Sequence, residues 1–557
     1  MHAEQPPHPQ QPNRPAHPFT RRNFVTGSLV TAAALAAGRA PAFASTPSAK
    51  GNAVRSAPVR TDSGLVTGVA GALPSVTVYK GIPFAASTAG DNRWRSPRAP
   101  RPWTGVRAAD TFGDICPQAG PASGLPPMSE DCLNLNVWTT GAGSGQRRPV
   151  LVWIYGGGFT GGYGAAPGFD GSGLAARGLV VVTFNYRTGT FGFLSTPELS
   201  RESGHGSSGN YGLLDQIAAL RWVRRNIAAF GGDPDRVTVA GQSAGAGSVA
   251  FLLYSPLARG LFHAAVAESG VRNPRDPEIA CLPTSYRTRS YAEDSGAEYA
   301  ARWKASSLAQ LRTVSTADLV AANSATDPAV TAPMYDFWGA PLWRPVVDGW
   351  VVPAGIDETL TRGRINDVPV LTGNNKDENG AAANTTETLD AYRASAARQY
   401  GSLAGEFLSR YPATTDAEAV AAFKASARDS ARTSTWLWAA QWLRRARNPV
   451  YTYYWTHALP GQSASHGSEI HYVFDNLYTA DLAWTDEDRS IADTLSSYVV
   501  NFAARGNPNG HGLPAWAPTR TDRATTMQLG DGYGPFPVAA PGNAGFFQRY
   551  YRTQPAW

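Results

Sequence analysis

This chain is poor in sulfur: it has three cysteines among 557 residues, too few for a scaffold built on disulfides. A metal-ligand spacing is missing as well. His466 and His471 come nearest to a ligand pair, and no further ligand follows at suitable spacing, so the expected chemistry needs neither metal nor cofactor. Past residue 44 no apolar run is long enough to cross a bilayer, and stable membrane insertion is not expected. Long blocks of like charge are missing too. The densest basic cluster, Arg444-Arg445-Ala446-Arg447, is short and lies on a helical pattern, where a solvated helix face accounts for it. The net charge is +6, and Arg14, Arg21, Arg22 and Arg39 against Glu4 supply half of that excess. Nucleic acid is therefore not an expected partner. No internal repeat or linker divides the remainder. What the chain does have is 43% hydrophobic residues, 57 glycines and 42 prolines. That is enough apolar side chain for a large core, and enough backbone punctuation for long surface loops.

Residues 1–19 are rich in Pro, His and Gln without apolar periodicity and read as disordered. Thr20-Arg21-Arg22-Asn23-Phe24-Val25 follows, then a moderately apolar run over 25–37 and the small-x-small triplet Ala42-Phe43-Ala44. Together these resemble a twin-arginine signal peptide cleaved after Ala44. The expected mature chain is a single domain, 45–557, exported to the periplasm, the cell wall or the medium. In an oxidising compartment Cys116 and Cys132, which flank a Pro/Gly loop, are the natural pair, with Cys281 left over. The sequence leaves the other pairings open.

Strand-like apolar runs recur at 133–138, 149–155, 179–186, 237–240, 264–268, 368–372 and 450–455, with helical patterns between them. Over 211–230, Leu213, Ile217, Leu220, Val223, Ile227 and Phe230 step by three or four, with Arg221, Arg224 and Arg225 opposite. This alternation predicts an α/β fold: a large, mostly parallel sheet with helices on both faces. The short runs at 66–69 and 76–79 read as an antiparallel edge. The polar, Trp- and Pro-punctuated stretch 271–365 reads as a helical cap over the catalytic edge.

One stretch organises the rest. Val237 and Val239 lead a buried strand into Gly241-Gln242-Ser243-Ala244-Gly245, and a small-residue helix begins at once. Gly-x-Ser-x-Gly between strand and helix is a nucleophile elbow: the turn strains its central residue, and the two glycines let strand and helix pass closely. The serine then sits at the positive end of a helix. A serine nucleophile needs oxyanion donors, a base and an acid to orient the base. Gly156-Gly157-Gly158 directly follows a strand, so the N–H groups of Gly157 and Gly158, with that of Ala244, are candidate donors. Glu378 follows an apolar strand, and Asp377 beside it is a rival that spacing cannot eliminate. His466 lies in a loop after another strand. His471, between Ile470 and Tyr472, reads better as a packed or surface position. The order Ser…acid…His matches the α/β-hydrolase arrangement.

With these motifs in place, the chain resembles the type-B carboxylesterase family, which includes cholinesterases and bacterial p-nitrobenzyl esterase-like enzymes. The resemblance runs through Gly81-Ile-Pro-Phe84, Glu130-Asp-Cys-Leu-Asn-Leu-Asn136, Tyr155-Gly-Gly-Gly-Phe159, Asn185-Tyr-Arg187 and Gly209-Asn-Tyr-Gly-Leu-Leu-Asp-Gln216. It continues through Phe230-Gly-Gly-Asp-Pro234, the elbow, Asn375-Lys-Asp-Glu378 and His466-Gly467. It implies a Ser243–His466–Glu378 triad, a Cys116–Cys132 disulfide, ion pairs Arg93–Glu130 and Arg187–Asp215, and a supporting hydrogen bond from Ser269. Two departures bear on substrate. Gln242 stands where many relatives carry Glu, and the loop between Cys116 and Cys132 has no aromatic residue to hold a quaternary ammonium. Choline esters are thus not the expected substrates. By analogy with the family's aromatic-lined gorge, Phe337, Trp338 and Trp343 are candidate pocket residues, with core packing the competing reading.

The expected activity is hydrolysis of small-molecule carboxylic esters through an acyl-enzyme on Ser243. Two readings compete: an interfacial lipase for longer acyl chains, and a non-catalytic cholinesterase-like binding protein. Relatives of the second kind usually lack the serine or the histidine, and both are present here. Oligomeric state and the physiological ester are not written in the sequence.

Overall fold

The computed structural model describes residues 55–120, 124–323, 325–336 and 339–557, all within one compact unit. The twin-arginine segment, its cleavage site, Phe337 and Trp338 lie outside the described residues. Among those residues eleven strands join in one sheet. In chain order they are β1 (Val69–Ala70), β2 (Thr77–Pro83), β3 (Asn134–Thr139), β4 (Arg148–Ile154), β5 (Val180–Phe184), β6 (Gly232–Gln242), β7 (Ala264–Glu268), β8 (Val370–Asn375), β9 (Val450–Trp455), β10 (Thr525–Leu529) and β11 (Gly534–Pro537). Across the sheet they run β11-β10-β9-β8-β7-β6-β4-β5-β3-β2-β1. From β5 to β10 every neighbouring pair is parallel. Both edges are antiparallel.

Side-chain alternation covers both faces. Along β4, Val150, Val152 and Ile154 join one core. There they meet Leu213, Ile217, Leu220 and Val223 of α1 (Tyr211–Asn226), Val249 and Leu253 of α2 (Ala244–Tyr254), and Trp438 and Trp442 of α3 (Asp416–Leu443). Leu151 and Trp153 join the opposite core, with Ile491, Leu495, Val499 and Phe502 of α4 (Asp486–Arg505). Strands buried on both faces read as near-continuous apolar runs, which is why the central strands are visible in the sequence. Truncating a buried tryptophan such as Trp153 to alanine costs about 3–5 kcal/mol.

The strand order reverses around β4, which lies between β5 and β6. Loops leaving β4 and β5 therefore diverge and open a crevice at the carboxyl ends of the strands, where open α/β sheets bind ligands. Register brings the strand ends level: Ile154 stands beside Gly241, Gln242 beside Glu268, and Glu268 beside Gly373. The Gly156 loop, Ser243 and the Glu378 loop all emerge from this edge.

Several expectations need correction. β10 and β11 were not anticipated; Thr525-Thr526 is exposed-to-buried and Pro535 and Pro537 punctuate β11, as suits an edge strand. The 271–365 segment is only partly helical. Arg289–Arg302, Leu308–Arg312, Thr316–Ala321 and Ile356–Arg362 are α-helical, and a two-stranded ladder pairs Arg287–Thr288 with Val346–Val347. Trp343 is fully buried, donates to the Ala322 carbonyl at 2.9 Å and packs on Tyr299, so it is core. Cys116 and Cys132 are both buried free thiols, and the expected disulfide is absent. The fold brings the two side chains within hydrogen-bonding reach. Joining them is a two-electron oxidation that folding alone does not perform. Cys281 is a half-buried free thiol whose pKa burial pushes up. Arg444 caps the end of α3, so the basic cluster follows the helix instead of lying on its face. Among the described residues no helix is long and apolar enough to cross a membrane.

Both ion pairs are formed. Arg187 Nε and Nη2 donate to Asp215 at 2.8 and 2.7 Å, wholly buried. Arg93 Nε donates to Glu130 at 2.8 Å, and its Nη1 reaches the carbonyls of Arg312 and Val314. Removing one partner of such a buried pair strands a charge and costs about 3–5 kcal/mol.

Candidate active site

Ser243 joins β6 to α2 at φ 58°, ψ −123°, a conformation a non-glycine residue holds only under constraint. The two flanking glycines supply that constraint. A Cβ on Gly245 would stand 1.9 Å from the Ile154 carbonyl oxygen, and one on Gly241 would stand 2.6 Å from the Gly245 backbone. Ser243 N–H donates to the Glu268 carbonyl at 2.9 Å, and its own carbonyl accepts from Gly247 N–H at 2.9 Å. The serine is thus locked at the start of a buried eleven-residue helix, at the helix's positive end.

The glycine loop after β4 packs directly on this turn. A Cβ on Gly156 would lie 2.9 Å from Ser243 Cβ. Gly157 and Gly158 have φ of 111° and 63°, and the Gly157 carbonyl accepts from Thr160 and Gly161 N–H at 3.0 and 3.2 Å. Phe159 is buried against Phe193 and anchors the loop. Among the described residues, the N–H groups of Gly157, Gly158 and Ala244 are donated to no other group. Below the loop, Tyr155 and Tyr186 stack and each hydroxyl donates to the other's carbonyl at 3.0 Å.

Glu378 follows β8 and is buried. Its Oε1 accepts from Asn375 N–H at 3.0 Å and its Oε2 accepts from His466 Nδ1 at 2.7 Å. Burial opposes its ionisation, but the hydrogen bond and charge of His466, the charge of Arg272 and the Asn375 N–H together hold the carboxyl below its ordinary value. For His466 burial disfavours the cation, yet the hydrogen bond and charge of Glu378, with the charge of Glu469, raise its pKa above the ordinary histidine value. Asp377 points elsewhere: its Oδ1 accepts from Arg428 at 2.7 Å and its Oδ2 from Ala464 N–H at 3.2 Å. It ties the histidine loop to α3. His471 is buried, meets Asn476 Oδ1 at 3.1 Å through Nδ1, and is held neutral chiefly by burial.

Three residues here escaped sequence reasoning. Asn375 Nδ2 donates to the Ser465 carbonyl at 2.8 Å and to Glu469 Oε2, so one residue steadies both the acid and the histidine loop. Burial pushes Glu469 up to about 7, against the hydrogen bond from Asn375. Burial and the charge of Glu469 push Glu268 well above the carboxylate range. Only the positions of Asn375 at a strand end and of Glu469 three residues after His466 hinted at this cluster. Ser269, at φ 52°, donates its backbone N–H to the Gly373 carbonyl. Among the described residues its buried hydroxyl makes no hydrogen bond to Ser243, His466 or Glu378, so the supporting bond expected of it is not formed there. A cleft of about 560 Å³, walled by Arg410, Arg428, Arg432, Tyr454 and Phe536, contains none of Ser243, Glu378 or His466.

The model of the carboxylesterase family matches residues 55–534. Fumonisin B1 esterase of Sphingopyxis macrogoltabida is 37% identical over 85% of this chain and 86% of its own. Para-nitrobenzyl esterase of Bacillus subtilis is 34% identical over 77% of this chain and 86% of its own. A solved structure of a PNB esterase superposes with a TM-score of 0.72 at 32% identity, covering 89% of this chain and 99% of its own.

Proposed function

The chain belongs to the carboxylesterase family and is a carboxylic ester hydrolase, and from that premise we propose that it works through an acyl-enzyme on Ser243 with His466 as base and Glu378 as orienting acid. The observation that carries this reading is the 2.7 Å contact between His466 Nδ1 and Glu378 Oε2, made beside a serine held at positive φ. Because a carboxylate only accepts, it keeps the proton on Nδ1 and leaves Nε2 as the basic nitrogen.

As Ser243 Oγ attacks the ester carbonyl carbon, its proton passes to His466 Nε2. The carbonyl π electrons move to oxygen, and that oxyanion lies against the N–H groups of Gly157, Gly158 and Ala244. Losing one such donor costs about 3 kcal/mol of transition-state stabilisation. Glu378 stabilises the imidazolium. The tetrahedral intermediate collapses, the carbon–alkoxide bond breaks, and the departing oxygen takes the proton from Nε2. Water then attacks the acyl-enzyme by the same path and releases the carboxylic acid. Export by the twin-arginine route is part of the proposal, supported by Arg21-Arg22 and Ala42-Phe43-Ala44.

The test is release of p-nitrophenol from acetate, butyrate, octanoate and palmitate esters, with p-nitrobenzyl acetate and fumonisin B1 as further substrates taken from the relatives' names. Wild type should turn over with a chain-length optimum, and folded Ser243→Ala should be inactive. Equal inactivity of both folded proteins on every ester would overturn the mechanism. A sharp rise in rate once tributyrin passes its solubility limit would move the reading to an interfacial lipase.

A further inference from the structure

The two ring nitrogens of His466 meet very different partners. Nδ1 faces the Glu378 carboxylate at 2.7 Å. A carboxylate holds no proton to give there, so Nδ1 carries the hydrogen, and in the neutral ring Nε2 is a bare lone pair. That lone pair faces Gln242 Nε2 at 3.1 Å. An amide nitrogen only donates, so the contact is a hydrogen bond from Gln242 into His466. Among the described residues no hydrogen bond joins His466 to Ser243 Oγ. The resting base is engaged by the residue next to the nucleophile, through the same lone pair that has to accept the serine's proton.

We propose that Gln242 is a positioning residue: in the resting enzyme its amide caps His466 Nε2, holds the ring neutral in the reactive tautomer, and is displaced when Ser243 takes its place. The contact itself stands on geometry alone, while its catalytic consequence rests on the Ser243 mechanism above. The surrounding charges give the proposal its sign. Glu378 on the acid loop and Glu469 on the histidine's own loop both favour the imidazolium. Arg272 acts on Glu378. The turn after β6 brings only Gln242 and Ser243, and the glycine loop after β4 brings no charge. Gln242 therefore donates toward the ring against two carboxylates that pull a proton onto it. A glutamate in its place would reverse the effect: it accepts, selects Nε2–H and, with Glu378 at the other nitrogen, favours the cation.

The experiment is an imidazole ¹⁵N–¹H correlation titration on the substrate-free protein, tractable with nine histidines, with His466 assigned from His466→Gln. In wild type the neutral ring should carry hydrogen on Nδ1, and its Nε2 resonance should be shifted upfield of an unbonded imidazole nitrogen. The His466 midpoint should rise from wild type to Gln242→Met, and again to Gln242→Glu, the second step by about one pH unit or more. The acid limb of kcat/KM for a p-nitrophenyl ester should move in the same order. A hydrogen on Nε2 of the neutral wild-type ring, or midpoints that stay put or fall, would overturn the proposal. Gln242→Met, neutral and of similar length, decides the sign if the buried glutamate prevents folding, and the upfield shift of the wild-type Nε2 resonance, present or missing, decides it if neither variant folds. Ordered midpoints without ester turnover would keep the contact and remove the esterase mechanism. Ester turnover with unmoved midpoints would remove the role of Gln242 alone.

Discussion

Among the described residues two histidines hold a carboxylate oxygen at 2.7 Å through Nδ1, and only one of them is placed to act as a base. His466 has Glu378 at Nδ1 and a neutral amide at Nε2. His457 has Asp531 at Nδ1 and Asp488 at Nε2, the latter at 2.9 Å. Asp488 is itself fixed by the Tyr472 hydroxyl at 2.6 Å and by the Thr485 cap of α4. With acceptors at both nitrogens, His457 is best satisfied as a cation and works as a brace between the loop after β9, α4 and the end of β10. The lesson is that a His–carboxylate pair is not in itself a catalytic feature. What matters is whether the second nitrogen can be left with a usable lone pair.

The contrast can be broken most sharply by substitution. His466→Gln should lower kcat by a factor on the order of 10⁴–10⁶ with the fold intact. His457→Gln should leave kcat within about threefold while lowering the melting temperature by about 2–4 °C. Steady-state kinetics beside thermal unfolding reads both, and a large loss of kcat in His457→Gln would erase the distinction. Next in size is the neighbouring pair of acids. Glu378→Gln should lose about 10⁴ in kcat, because an amide no longer fixes the tautomer. Asp377→Asn should keep kcat within about tenfold and cost about 1–2 kcal/mol in urea unfolding through its Arg428 and Ala464 contacts. Equal losses of kcat in the two variants would mean that proximity alone had chosen the acid.

The smallest effect concerns pH. Burial works against charge on His457, but its hydrogen bonds to Asp488 and Asp531 and their charges raise its pKa above the ordinary 6.5. A pKa raised by folding means that the stabilisation is fully present below the unfolded value of about 6.5 and is lost as pH rises through the folded one. The stability difference between wild type and His457→Gln should therefore be largest below pH ~6.5 and shrink toward alkaline pH. Urea titrations across that range test it, and a difference that grows with pH would contradict the two-acceptor picture. The acid limb of kcat/KM should likewise lie above the ordinary histidine value, since Glu378 and Glu469 raise His466 against its burial.

Much of this was legible in the sequence, for a physical reason. Ser243 is visible because strand, turn and helix lie within one short stretch, and the pattern of Gly241 and Gly245 reports a steric requirement of that stretch. The central strands are visible because burial on two faces demands continuous apolar runs. Asp377 and Glu378 could not be separated by spacing, since adjacent residues leave a turn in different directions; the resemblance to known esterases chose between them. Gln242 was noticed for the charge it lacks, and its contact with His466 was not foreseen. The roles of Glu469, Glu268 and Asn375 went unread because they arise only where separate chain segments converge. The strands β10 and β11 are short, and the edge strand β11 is proline-marked, so they escaped notice for want of a pattern.

By itself, then, the sequence determined what is local or repetitive: the strained serine, the bare N–H groups of the glycine loop, and the sheet buried on both faces. These follow from steric rules and apolar periodicity acting over a few residues. Only the tertiary structure decided which partner meets each nitrogen of His466. Glu378 lies 88 residues away and Gln242 lies 224 residues away along the chain. Their meeting depends on strand register and on the direction in which each loop leaves the sheet, which no short window of residues carries.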